Sequence, residues 1–268
     1  MTTTSRLTLN TINELQIQPH LLQIPNYQSF FYTFHTVEPV DIGRLQEHYL
    51  ESTERIVKSK YVLLTSDSFH NTPIQSYLSC IKRYVDMYLH LMKGVKQLSF
   101  AGIIHLNICL NNIIVKDGTL PLLKGFEHAT MNASSEHMLE EPIECRTIRF
   151  MTTHGLKSIS KSNILDICGD NLEEQFFLSS FVNKPTTYML DWLKECSKTW
   201  NVYALNTLFL SWLHQKDNLF VSKWIMCLKK GIANTNRGTP EYFIEETKAL
   251  LYLAELSDLT TTPGPILS

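Results

Sequence analysis

The strongest constraint on this chain is a long run of one-sided apolar periodicity that ends at a glycine and leads into a hairpin. Tyr77, Ile81, Tyr84, Val85, Tyr88, Leu89, Met92 and Val95 recur at helical spacing, which lines one broad face of a helix. Asn71-Thr72-Pro73 opens the run and Gly102 closes it. Pro suits a first helical turn, so the sequence predicts one helix over 73–98, its Tyr-rich face buried in a core. Ile103-Ile104-His105 and a polar loop follow. Then come the strand Asn112-Ile113-Ile114-Val115, the turn Lys116-Asp117-Gly118-Thr119 and a returning strand, Leu120 to Leu123. Asp-Gly at the centre of such a turn is a hairpin signal.

On the N-terminal side, residues 1–13 are polar and read as loose. A short helix is expected over 12–22, with Pro19 marking a break. The aromatic run Phe30 to Phe34 and the apolar run Tyr61 to Thr65 both read as strands, with a charged, helical excursion over 41–58 between them. Residues 124–175 are mixed and poorly periodic. Helices are expected over 187–196, 201–214, 219–230 and 240–256, with Gly231 ending the third, and a disordered tail over 260–268.

Composition removes several function classes. The 24 Lys and Arg stand against 26 Asp and Glu, without the basic excess of a nucleic-acid binder. No apolar run approaches the length of a membrane span, so no membrane partner is expected. The ten His are scattered, without metal-ligand spacing. The six Cys form no C-x-x-C and the Thr-rich start has no signal-peptide core, so a reducing, intracellular setting is expected.

The segment from Gly102 to Val115 resembles the catalytic loop of protein kinases, H-R-D-L-x-x-x-N, which is followed by a hairpin and D-F-G. His105 matches the His and Asn112 the metal-binding Asn. Leu106 stands at the Arg position and Asn107 at that of the catalytic Asp. Cys109 stands where Ser/Thr kinases carry Lys. Gly125-Phe126-Glu127 falls where D-F-G belongs, at a similar separation (125 − 107 = 18 residues). Pro142-Ile143-Glu144 resembles A-P-E, Asn201 replaces the Asp of the central helix, and Arg237 sits where an Arg would pair with Glu144. The resemblance is strong over 60–130 and moderate over 200–255, and the interval 145–199 is longer than in ordinary kinases. The overall pattern is similar to divergent kinase-like proteins of large DNA viruses. The implied fold is α+β and protein-kinase-like, with a reduced N-terminal lobe over 1–70 and a mainly helical C-terminal lobe over 71–259.

The same positions imply that the chemistry is lost. Phosphoryl transfer is positioning plus charge neutralisation. Asn107 can orient a hydroxyl but cannot take its proton, a loss of about 10²–10⁴-fold. Gly125 has no side chain, which leaves Asn112 a lone neutral ligand for Mg²⁺, an ion that prefers anionic oxygens. No G-x-G-x-x-G occurs, and too little chain precedes residue 12 for a Gly-rich loop and a Lys-bearing strand. Glu14 could be the brace Glu of that helix but lacks a Lys partner. Glu127 could serve as a ligand two residues along, because i and i+2 share a side in an extended segment. His105 and Phe126 read as core, Cys109 as a plain substitution, and Glu144–Arg237 as a structural bridge. The expectation is a catalytically inactive scaffold that binds a protein partner and needs neither ATP nor Mg²⁺. Two alternatives remain open: an atypical Ser/Thr kinase using Glu127 and Asn107 in adapted roles, and a metal-independent ATP sensor.

Overall fold

The computed structural model describes residues 2–6, 9–34, 36–39, 61–66, 68–131, 142–214, 218–232 and 237–255. Across them the chain is α+β and mainly helical, with two small three-stranded antiparallel sheets. The first sheet joins β1 (Thr2–Arg6), β2 (Thr36–Pro39) and β3 (Tyr61–Thr65), with β3 central. Thr65 lies opposite both Thr2 and Thr36. The start of the chain is therefore not loose. Thr is β-branched and suits an extended backbone, so the Thr-rich segment adds a strand.

Helix α1 (Leu9–Leu22) begins earlier than expected and runs through Pro19 without the predicted break. A proline in a helix interior costs about 3 kcal/mol. Pro19 is exposed, while Ile17, Gln18 and Leu21 are buried, and that burial offsets the cost. The strand expected over 30–34 is also absent. Phe30 and Phe31 both donate backbone N–H to Tyr27 O (2.9 and 2.8 Å) in a turn, and only Phe31 bridges to Leu123. The aromatic side chains explain this: Phe30 stacks on His90 at 5.2 Å and Phe31 meets Phe126 edge-on at 5.8 Å. The run is aromatic because it fills a core. The segments 41–58 and 260–268 lie outside the described residues.

The second sheet joins β4 (Asn71–Thr72), β5 (Ile113–Lys116) and β6 (Leu120–Leu123), the last two forming the predicted hairpin. The single helix predicted over 73–98 is two helices: a one-turn α2 (Ile74–Tyr77), then α3 (Ile81–Phe100). Leu78 leaves helical geometry between them (ψ 49°). Tyr84, Val85, Met87, Tyr88, Met92, Val95 and Leu98 of α3 are fully buried.

The interval 145–199 supplies α4 (Ile143–Thr153), α5 (Lys161–Cys168), α6 (Leu172–Ser179) and α7 (Thr186–Ser197). Helices α8 (Trp200–Leu213), α9 (Leu219–Lys229) and α10 (Pro240–Glu255) complete the order close to the predicted bounds. Helices α8 and α10 both pack on α3. There the Tyr88 hydroxyl donates to Asn206 Oδ1 (2.7 Å) and its ring meets Phe209 and Trp224 at 5.0 and 5.4 Å. A second apolar cluster lies under α4–α7 and includes Ile143, Ile164, Leu178 and Trp200.

One ion pair fixes α4 to the C-terminal helices. Glu144 is 0% exposed and Arg237 4%. Arg237 donates through Nη1 to Oε1 and through Nη2 to Oε2 (2.9 Å), Trp200 Nε1 donates to Oε1 (3.0 Å), and the guanidinium lies over Tyr203 at 4.9 Å. Removing one partner leaves a buried charge uncompensated. Arg237→Ala should therefore cost about 3–5 kcal/mol in urea unfolding, and a cost within the range of ordinary surface changes would contradict this role.

Candidate functional site

The loop from Gly102 to Asn112 is held from below. Gly102 takes a left-handed φ of +69° and turns the chain out of α3. Asn201, on α8 and buried, then clamps the loop: its Oδ1 accepts from His105 N–H (2.8 Å) and its Nδ2 donates to Ile103 O (2.8 Å). His105 is fully buried. Its Nε2 donates to Lys124 O (3.1 Å) and its Nδ1 accepts from Asn107 N–H (3.3 Å), which places the ring proton on Nε2. Burial pushes its pKa down to about 4, so the ring is neutral. It lies 4.5 Å from the Phe126 ring. His105, Phe126 and Asn201 thus form one internal brace between the loop, the hairpin exit and α8.

Leu106 adopts φ +58°, which costs a non-glycine residue about 1–2 kcal/mol. Its side chain is buried in the second apolar cluster, which holds the strained backbone in place. Asn107 follows, and its Nδ2 donates to Glu127 Oε1 at 3.5 Å. Asn107 Oδ1 is buried without a hydrogen-bond partner. Asn112, mostly buried, donates through Nδ2 to Asn107 O (2.9 Å), and its own backbone O accepts from Lys124 N–H (2.9 Å).

Gly125 is constrained twice. Its φ is +77°, and a Cβ there would lie 2.5 Å from Asn112 Oδ1 and 2.7 Å from Asn112 Cγ. The Asn112 amide therefore fills the space that a side chain at 125 would need. Phe126–His128 is a short 3-10 turn rather than extended chain. The expectation that Glu127 shares a side with residue 125 by strand alternation is thus corrected. The Asn112 amide donates through Nδ2 to Asn107, residue 125 offers no side-chain oxygen, and no group of three or more His, Cys, Asp or Glu converges among the described residues. Cys109 begins the 3-10 turn Leu110–Asn112, where its carbonyl accepts from Asn112 N–H (3.0 Å).

Helix α1 closes the site from the other side. Asn13 Nδ2 donates to the carbonyls of Glu127 and Ala129, both at 2.8 Å. Glu14 Oε1 accepts from Phe126 N–H at 3.4 Å. Burial, and then the neighbouring Glu127, push the Glu14 carboxyl up to about 7, with Lys124 acting against them. Glu14 is therefore not isolated: its setting is a second carboxylate, a backbone donor and Lys124. Sequence reading missed Asn13 and Lys124, because a single polar residue beside a helix face or a hairpin carries no periodic signal.

No protein-family model matches the chain, and no curated protein sequence matches it significantly. The described helices include none long and apolar enough to cross a membrane.

The two shifted groups have opposite pH consequences. Glu14 has a raised folded pKa, so its contribution is full below about 4.5 and is lost as pH rises through about 7. His105 has a lowered folded pKa, so its contribution is present above 6.5 and is lost as pH falls through about 4. Between those limits the two slopes oppose each other. Glu14→Gln keeps an acceptor for Phe126 N–H and removes only the first. Urea unfolding across pH should show the variant gaining on the wild type by about 1 kcal/mol per pH unit between 4.5 and 7, with a constant difference beyond. A pH-independent difference would contradict the buried-carboxyl account.

Proposed function

We propose that this chain is a degenerate protein-kinase-like protein that acts by binding another protein, with its phosphoryl-transfer cleft converted into a packed junction. The observation that carries this reading is the Asn112 side chain, whose amide stands where a metal-holding residue at 125 would project. Three further features support the likeness. Asn201 anchors the loop backbone from the helix below, Glu144 and Arg237 pair in the interior, and Glu14 reaches the residue after Gly125. The electrostatics support the loss of phosphate chemistry. Polyphosphate needs cations around it, whereas this junction gathers two carboxyls, Glu14 and Glu127, and the neutral amides of Asn107 and Asn112 against a single lysine, Lys124, among the groups bearing on Glu14.

Thermal melting of the full chain with and without ATP, each in Mg²⁺ and in chelator, tests the reading. A ligand at 100 times its dissociation constant adds about 2.7 kcal/mol, several degrees for a domain of this size. The expected result is no shift in any condition. A shift that requires Mg²⁺ would overturn the proposal in favour of phosphotransfer, and a shift in chelator would favour a nucleotide sensor.

A further inference from the structure

We propose that the outward ridge of α9 is a docking site for an acidic amphipathic helix of a partner protein, one with apolar residues seven apart and carboxylates beside them. Helix α9 buries Phe220, Val221, Trp224 and Leu228. At about 100° per residue these lie on one side of the helix, and Leu219, Lys223, Met226 and Lys229 fall on the other. Leu219 and Met226 are 73% and 70% exposed and stand in line two turns apart. Lys223 and Lys229 are also exposed. They sit three residues before and three residues after Met226, so both are its neighbours on the helix surface. The charge on this ridge has one sign. Helix α9 carries no Asp or Glu, although acids outnumber bases in the whole chain, 26 to 24. Neither Lys223 nor Lys229 has an ion-pair partner among the described residues.

The sign of the ridge selects the occupant. The same ridge of a second copy would set lysines against lysines, so self-pairing there is repelled. A flat anionic membrane would also have to meet α10, which packs against α9 and exposes Glu245 and Glu246. That flank is already neutralised: Glu246 bears on Lys230, whose Nζ donates to Tyr242 Oη at 2.6 Å. A single helix is narrow enough to follow the ridge and avoid the flank. Apolar residues seven apart on it rise about 10.5 Å, which matches Leu219 and Met226, and carboxylates beside them reach Lys223 and Lys229. Helix α9 is about 17 Å long, so the contact is smaller than the roughly 1,200–2,000 Å² of a stable interface, and the complex is weak and exchanging. This names the chemistry of one partner for the binding role proposed above and rests on that role, but not on the state of the cleft.

Fluorescence anisotropy of the full chain with a labelled peptide tests it. The peptide is a helix of about four turns with Leu residues seven apart and Glu on either side of them. It should bind, and added salt should weaken the binding. Lys223→Glu and Lys229→Glu in one chain should raise its dissociation constant by more than ~10-fold, and that variant should instead bind a peptide carrying Lys in place of Glu. Leu219→Ser and Met226→Ser should each weaken binding by at least ~5-fold. All these side chains are exposed, and melting curves check that the variants fold. An acidic peptide that does not bind overturns the proposal, as does binding indifferent to the lysine reversal. Binding to anionic vesicles without binding to the peptide overturns it in favour of a membrane surface. Failure of the peptide together with flat nucleotide melts would overturn this ridge and leave the binding role standing. Peptide binding together with a Mg²⁺-dependent melt would overturn the cleft reading and leave the ridge.

Discussion

The contact between Asn112 and Gly125 governs the centre of this molecule. With Asn112 Oδ1 only 2.5 Å from the place of a Cβ at 125, any side chain at 125 requires the Asn112 amide to move, and the φ of +77° favours glycine on backbone grounds as well. The left-handed turn at 125 swings the chain into the 3-10 turn that follows. That turn brings Phe126 against His105 and Phe31, and Glu127 against Asn107. The other end of the Asn112 amide ties down the carbonyl of Asn107. Loop, hairpin and α1 therefore meet at one interlocked point. A carboxylate at 125 and this placement of Asn112 are mutually exclusive.

The charges around that point explain the amides. Glu14 is pushed toward neutrality by burial and by Glu127, so a further carboxylate at 107 would add repulsion where it is least screened. Asn107 instead turns a donor toward Glu127. The cost is an acceptor, Asn107 Oδ1, buried without a partner, on the order of 1–3 kcal/mol for such a group. The neutral tautomer of His105 serves the same economy: one ring nitrogen donates to Lys124 and the other accepts from Asn107, without introducing a charge.

Much of this was legible in the residues, and what was not has physical causes. The hairpin and the last three helices carry a strong turn signal or long periods, and the structure has them close to the expected bounds, whereas the helix before the loop keeps its buried face but is interrupted at Leu78. The Glu144–Arg237 pair could be anticipated only through a resemblance of motifs, since 93 residues separate its members. The run Phe30 to Phe34 misled because aromatic residues suit both a strand and a core, and here His90 and Phe126 claim the rings. Pro19 misled because burial of Ile17 and Leu21 outweighs a local penalty. Helices α5 and α6 span eight residues each, too few turns to show a period. The position of the Asn112 amide is purely tertiary, so Gly125 read as a missing ligand when it is also a required space.

The most direct test of that last point is a double-mutant cycle on unfolding free energy, using Asn112→Ala, Gly125→Ala and both together. If the Asn112 amide occupies the space of a side chain at 125, Gly125→Ala alone is strongly destabilising, and much of its cost disappears once Asn112 is truncated. The residual cost is the backbone strain of a left-handed alanine, about 1–2 kcal/mol. The account predicts a coupling energy of at least about 1 kcal/mol, within the range for residues in contact. Additive costs would mean that the two positions do not compete for one space, and would contradict the packed junction on which the functional reading depends.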